Sequence, residues 1–422
     1  MGLRDAPAIS SHPNFFKSPE ASLKLRGRFD TELRSGRMIG GVGWSSKQVR
    51  HFLRRQFYTI PCGAVPKNND PAGRIIHNYS YPTAKAGSVN SALINTSVAY
   101  ISFKERVTLL EKVDWFIKAD LKNGYRQLPV HPSDWYTQIY SLGPNEHYID
   151  INMPFGKANS SKIFCTWTTA WCTSFQNHFQ NHYSIPIALS SYVDDFFGGP
   201  IRSESLEMDR NYAKLLLKNL ISIGEFTNTR MNIGKCLAPA RSMNILGIVF
   251  NSKNRTCYLP ENKVAKYLGR LQNVKRNKSC TSKELEKLIG NLVFASWVIP
   301  FGRSFISHIS FFMNRENSRK RVTLDAVGVA ACDVWALLLK RNRGLPFDFI
   351  LGRLPRQRNE WFTDASPAYG YGGVCGNHFF KISHVTWNSA LSQAKYGNFA
   401  NSWRSYSHFK DSQNSPLAVL FV

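Results

Sequence analysis

Between about residues 61 and 224 the hydrophobic pattern alternates between period two and period 3.6, the mixture expected of an α+β domain. Residues 113–121 predict a strand, with Trp115, Ile117, Ala119 and Leu121 on one face and Phe116, Lys118 and Asp120 on the other. Over 158–180, Phe164, Trp167, Trp171, Phe175 and Phe179 recur at intervals of three or four, which predicts a helix. Residues 187–197 are apolar on both sides of Asp194-Asp195 and read as a hairpin with acids at its turn. A further helix is expected over 204–223 from Leu206, Ala213, Leu216, Leu217, Leu220 and Ile221, with Gly224 as its C-cap.

Outside this region the pattern changes. Residues 1–55 carry few periodic signals and read as a basic arm or extension. Thr281-Ser282-Lys283-Glu284 has the form of a capping box opening a helix whose buried stripe would be Leu285, Leu288, Ile289, Leu292 and Val293. Residues 322–357 read as a connector, and a β-rich pattern begins at Glu360. No internal repeat is visible.

Composition narrows the class. The chain has 422 residues, 43% of them hydrophobic, enough for two or three domains with substantial cores. No apolar run approaches the ~18–20 residues of a membrane span, and the first residues lack a signal-peptide core. An intracellular protein, cytoplasmic or nuclear and with no membrane partner, is the expectation. Eight cysteines without a C-x-x-C pair read as reduced thiols rather than a zinc or disulfide framework. Charge changes the picture most: 54 Lys and Arg against 28 Asp and Glu give +26, which points to a polyanionic partner. Residues 261–321 alone hold thirteen basic and four acidic residues, so a helical subdomain with a basic face is expected there.

Two acidic features suggest chemistry. Adjacent Asp194 and Asp195, flanked by strand residues, place like charges near apolar groups, a cost that a bound dication relieves. A structural turn can also hold such a pair. Asp120, 74 residues earlier on a predicted strand, adds a third carboxylate. A strand-borne Asp beside an Asp-bearing hairpin is what nucleotidyl transfer requires, because two Mg²⁺ ions, with Mn²⁺ as a substitute, are clamped by shared carboxylates. Asp120, Asp194 and Asp195 are therefore the candidate catalytic residues and metal ligands.

Residues 63–250 resemble a reverse transcriptase, with five motifs in the family's order. DWFIKADLKNGYRQLPVHPSD is similar to the first palm motif, MPFGKANSSKIF to the second and YVDD to the third. MNIGKC followed by ILGIVF resembles the lysine motif and the primer grip, and VPKNNDPAGRIIHNYSYPTAKAGSVN the triphosphate-binding fingers motif. The SYP…SVN continuation is most similar to DIRS-type retroelements. The resemblance implies an α+β right-hand polymerase: basic extension (1–55), fingers and palm (56–244), basic helical thumb (245–321), connector (322–357) and a partial RNase H-like segment (358–422). It implies RNA-directed addition of dNTPs to a primer 3′-OH on an RNA template and DNA primer duplex.

The resemblance also assigns dNTP-binding roles. Lys67 and Arg74, on a predicted β-hairpin, would meet the triphosphate as a point charge and a fork; a solvated hairpin face is the plainer reading. Phe155 and Gly156 would lie under the incoming base and sugar. Lys235 would face the departing pyrophosphate, or be an ordinary surface lysine. Tyr125 would stand beneath the sugar's 2′-carbon and exclude a 2′-OH, favouring dNTPs over the NTPs of an RNA polymerase; the alternative is a tyrosine packed in the core. In the second motif Lys157 stands for the family's leucine and Ser160-Ser161 for Ala-Pro, a departure that leaves open a catalytically inactive or domesticated nucleic-acid-binding relative. WFTDAS resembles the first strand of RNase H, but after Glu360 the only acids are Asp364 and Asp411, and Pro416 stands where a helix-borne Glu is expected. One dependable ligand, Asp364, cannot assemble a two-metal site, so no RNase H activity is expected.

Overall fold

The computed structural model describes residues 14–15, 19–67, 70–81, 87–93, 97–277, 279–311, 321–353, 361–366, 370–375 and 378–383, with side chains left aside at 66–74 and from 361 onward. It divides into two compact units, Met1–Ala240 and Arg241–Val422, so the boundary falls four residues before the expected one at 244.

The first unit contains β1 (Met38–Val42), β2 (Cys62–Lys67), β3 (Asp70–His77), β4 (Phe116–Asp120), β5 (Ile139–Gly143), β6 (Glu146–Asp150), β7 (Ile187–Tyr192), β8 (Asp195–Pro200) and β9 (Leu237–Ala240). Its helices are α1 (Pro19–Arg34), α2 (Ser46–Leu53), α3 (Phe103–Leu110), α4 (Ser160–Tyr183) and α5 (Leu206–Phe226). The central sheet has the order β7-β8-β4-β9, antiparallel throughout. Its strands alternate as the period-two pattern requires. Ile117, Ala119 and Leu121 enter a core shared with Phe164, Phe175 and Phe179 of α4 and Ala213, Leu216 and Leu220 of α5. Lys118 and Asp120 take the opposite face.

The described residues of this N-terminal segment, 14–15 and 19–55, are not an arm. Ala21, Leu25, Phe29 and Glu32 form one buried stripe along α1, and Leu25 and Phe29 join a second core with Val49, Ile75, Tyr79, Tyr140, Tyr148 and Ile149. Strand β1 pairs with β6 in the sheet β1-β6-β5. Lys24, Arg26 and Arg34, among the basic residues that gave this segment its unstructured look, lie outside that stripe on solvated faces.

Gly224 is not a C-cap. It is buried inside the last turn of α5, which runs on to Phe226, and a Cβ on it would stand 2.7 Å from the Thr229 carbonyl oxygen. The residue permits a close backbone approach; the left-handed exit is made by Asn228, at φ 53°.

The second unit contains β10 (Ser242–Ile245), β11 (Ile248–Asn251), β12 (Thr256–Tyr258), β13 (Ser279–Thr281), β14 (Arg321–Thr323), β15 (Leu345–Pro346), β16 (Trp361–Ser366), β17 (Gly370–Cys375) and β18 (His378–Ser383), with helices α6 (Glu261–Asn277), α7 (Ser282–Ala295), α8 (Arg303–Ser310), α9 (Ala326–Lys340) and α10 (Phe347–Leu351). The capping box is present at Thr281 and Glu284. Leu285, Leu288 and Leu292 are buried as expected, whereas Ile289 is half-buried and Val293 exposed. Residues 322–353 are not a connector: α9 packs on α6 and α8, and β15 completes the sheet β10-β11-β12-β15. Asp325 caps α9, and its buried Ala331, Cys332, Trp335 and Leu339 are core. Strands β16 to β18 form an antiparallel meander with Asp364 opposite Gly372; the expected helix at 414–420 lies outside the described residues. Among the described residues, seven cysteines form no disulfide, and no helix is long and apolar enough to cross a membrane.

Candidate active site

Asp120 ends β4, and in the antiparallel register its partner is Asp195, the first residue of β8. Paired residues of adjacent strands share a face. Asp195 also pairs with Tyr192, leaving Val193-Asp194 as a two-residue turn. Val193 takes φ 56°. A β-branched residue there is strained by about 1–3 kcal/mol. The carbonyl of Asp194 accepts the Leu121 N–H at 2.8 Å, which fixes the turn against the end of β4. Three carboxylates separated by 74 residues thus meet at one end of the central sheet.

Burial pushes the Asp194 carboxyl above the usual carboxylate range; its own backbone N–H opposes this, while Asp120 and Asp195 add repulsion in the same upward direction. Two ammonium groups offset that charge. Lys235 Nζ lies 3.0 Å from Asp120 Oδ2, and the bond holds the lysine above its ordinary range. Lys118 Nζ lies 3.0 Å from Asp195 Oδ1. Among the described residues, no three His, Cys, Asp or Glu side chains stand ready to hold a metal ion. The donors are nonetheless carboxylate oxygens, the type hard dications take, and the two lysines stand where positive charge is wanted.

The segment after Asp120 turns sharply through Asn123 (φ 67°) and Gly124 (φ 48°) into a 3-10 turn, Gly124–Gln127, that carries Tyr125. The Tyr125 ring meets Phe155 edge-on at 4.7 Å and Phe164 at 4.5 Å, and its hydroxyl donates to Ser161 Oγ at 3.1 Å. Phe155 is 39% exposed, so the two rings form one wall open to solvent. Tyr125, Phe155 and Gly156 are therefore brought together. Lys67 and Arg74 lie on the β2–β3 hairpin, facing Asp70 and Val65 in the register, with an irregularity between them; their side chains are outside the described residues.

The lysine of the altered second motif is tied into the fold. Lys157 Nζ donates to Thr137 Oγ1 at 3.0 Å and to Gln138 Oε1 at 3.3 Å, and burial lowers its pKa. Without the family's proline, α4 still begins at Ser160 and runs unbroken to Tyr183.

Three positioning residues escaped the sequence reading. Asn90, inside the quoted SVN, donates to the Gly156 carbonyl at 3.0 Å and accepts the Ala158 N–H at 2.8 Å. Gln127 donates to the carbonyls of Lys122 and Arg230 at 2.7 and 2.9 Å and accepts the Arg230 N–H at 2.8 Å, stapling the turn after Asp120 to the segment that leads to Lys235. Arg126 lies at the centre of a buried ion network. All three lie within the segments that carry the resemblance, but only the fold shows what they touch.

No protein-family model matches the sequence, and no curated protein does. Solved structures do. A foamy viral protease-reverse transcriptase (dRH) in complex with ds DNA is 16% identical, with a TM-score of 0.60 over 90% of this chain and 56% of that one. The foamy viral protease-reverse transcriptase with an RNA/DNA hybrid gives 15%, 0.58, 92% and 46%, and with dsDNA 14%, 0.54, 93% and 72%. The chain thus spans about half the length of the first two. At these identities the likeness shows the fold, which is reverse transcriptase-like.

Proposed function

We propose that the chain is an RNA-directed DNA polymerase that extends a primer 3′-OH with dNTPs. The observation that carries this reading is the pairing of Asp120 with Asp195 beside Asp194, at the end of a sheet whose fold is reverse transcriptase-like. On this reading the first unit holds fingers and palm, α6 to α8 belong to a basic thumb, and β16 to β18 belong to an RNase H-like segment. The DIRS-type origin rests on the sequence motifs.

The chain's own residues have definable parts in such a reaction. Asp120, Asp194 and Asp195 would hold two Mg²⁺ ions once Lys118 and Lys235 release them, and Lys235, freed from Asp120, would face the leaving pyrophosphate. The ions would activate the 3′-OH and neutralise charge on the phosphates. Tyr125 and Phe155 would form one wall beneath the sugar, with the Tyr125 ring where a 2′-OH would clash. Lys67 and Arg74 would contact the triphosphate. The +26 charge would make duplex binding salt-sensitive.

A second reading, a nucleic-acid-binding relative without catalysis, is favoured by one observation: Lys118 and Lys235 already neutralise Asp195 and Asp120. Primer extension on an RNA template decides between them. Mg²⁺-dependent addition of dNTPs in preference to NTPs supports the polymerase; salt-sensitive binding of the duplex with no extension supports the second reading.

A further inference from the structure

Beside Tyr125, Arg126 points the other way, into the protein, and is 5% exposed. Its Nη1 donates to both oxygens of Asp150, at 2.7 and 2.6 Å, and to the carbonyls of Asn152 and Met153 at 3.2 and 3.4 Å. Its Nε and Nη2 donate to Glu32 Oε2 at 3.2 and 2.9 Å. Arg37 Nε completes the set on the same Glu32 oxygen at 2.7 Å. Two carboxylates and two guanidinium groups balance, so the network carries no net charge into the interior. In return, Asn152 Nδ2 donates to the Arg126 carbonyl at 3.0 Å.

Buried ion networks are weak sources of stability compared with a well-packed apolar core, and their best-attested use is to fix one arrangement among several. The arrangement fixed here is specific. One guanidinium binds the turn Gly124–Gln127, which carries Tyr125, to residues 152–153, which lead directly into Phe155-Gly156. The two rings that meet at 4.7 Å therefore stand on segments joined by the Arg126 guanidinium, with the Asn152 side chain and the Met153 N–H to Leu128 carbonyl bond beside it. A lysine could not replace it, because one ammonium has neither the reach nor the fork to serve Glu32, Asp150 and two carbonyls together.

The geometry points to Arg126, held by Glu32 and Asp150, as the positioning residue that sets how the Tyr125 ring stands against Phe155 and thereby the sugar selectivity of the nucleotide site. The selectivity rests on the polymerase reading; the positioning of the ring does not. Through Glu32, the network makes helix α1 part of the site's construction rather than an accessory to it.

The test uses the full chain with a fluorotyrosine placed at position 125 alone. Arg126→Lys keeps the charge and removes the fork. The combination Arg126→Met, Asp150→Asn keeps the Glu32–Arg37 pair, leaves no uncompensated charge and serves if the single variant does not fold. The wild type should give one narrow fluorine resonance, shifted by the Phe155 and Phe164 rings, and the variants a moved or divided one. In single-nucleotide addition the variants should raise the dNTP KM about tenfold or more and lose discrimination against NTPs, with a smaller change in kcat. An unchanged resonance in a folded variant overturns the positioning, whatever the activity. A displaced resonance with unchanged dNTP-to-NTP discrimination overturns the selectivity role. A wild type that extends no primer removes the polymerase reading and the selectivity with it, while the fluorine signal still decides whether Arg126 holds the ring.

Discussion

Replacing Gly156 by alanine adds one methyl group where the structure has no room for it. Gly156 takes φ 97°, and a Cβ built there stands 2.8 Å from the His77 carbonyl oxygen and 3.5 Å from the Tyr79 ring. The loop cannot simply move aside, because Asn90 holds it from both ends, at the Gly156 carbonyl and the Ala158 N–H. The conformational strain and the backbone clash together should cost about 2–4 kcal/mol. At roughly 2–4 °C per kcal/mol for a unit of this size, the melting temperature should fall by about 5–15 °C. Displacing Phe155 by even part of an ångström should also weaken nucleotide binding, since misplacement on that scale is costly in catalytic sites. Differential scanning fluorimetry and the dNTP KM in primer extension read the two effects. A G156A protein with wild-type melting and wild-type KM would refute the reasoning, because the contact with His77 would then not constrain the loop.

Other outcomes follow from the same geometry. Asp194→Asn should stabilise the metal-free protein at pH 7, by about 1 kcal/mol or less after solvent screening, because the carboxyl's raised pKa means that its charge costs stability as pH rises through that value. Mg²⁺ should raise the melting temperature of the wild type and leave the variant unmoved; equal Mg²⁺ shifts would contradict this. Tyr125→Val should admit NTPs, improving their incorporation relative to dNTPs by about tenfold or more, as read by competition on an RNA template. His77, stacked near Phe29 and Tyr140, is pushed down to about 3 by burial, with Arg28 and Arg126 adding repulsion. A base so depressed binds fewer protons folded than unfolded, so stability should drop as pH falls below about 6.5, by on the order of 1 kcal/mol at pH 5 for this partly exposed residue. His77→Phe should flatten that decline in pH-dependent urea melts.

Legibility in the sequence followed the range of the interactions. The central strand and the acidic hairpin were readable because alternation is local, and because Tyr192 to Asp195 announces a two-residue turn between apolar strands. Their pairing came from the family resemblance, since nothing within 74 residues encodes a register. Helix α1 was hidden by its own charges: Ala21, Leu25 and Phe29 keep helical spacing, but they stand among Lys24, Arg26 and Arg28. Helix α9 was missed for the opposite reason, as an apolar run on all sides gives no face to detect. The Arg126 network was out of reach, with Glu32 and Asp150 lying 94 and 24 residues away. Lys157 looked like an exposed departure from the family's leucine until the fold supplied Thr137 and Gln138 as its partners.

The most direct measurement is the addition of a single dNTP to a DNA primer annealed to RNA, titrated with Mg²⁺, for the wild type and for Asp120→Asn. The variant leaves the sheet and hairpin intact and removes one carboxylate charge. The account predicts metal-dependent addition by the wild type and a loss of at least about a thousandfold in the variant. Comparable rates from the two proteins would mean that the acids gathered at the end of the sheet do not carry the chemistry.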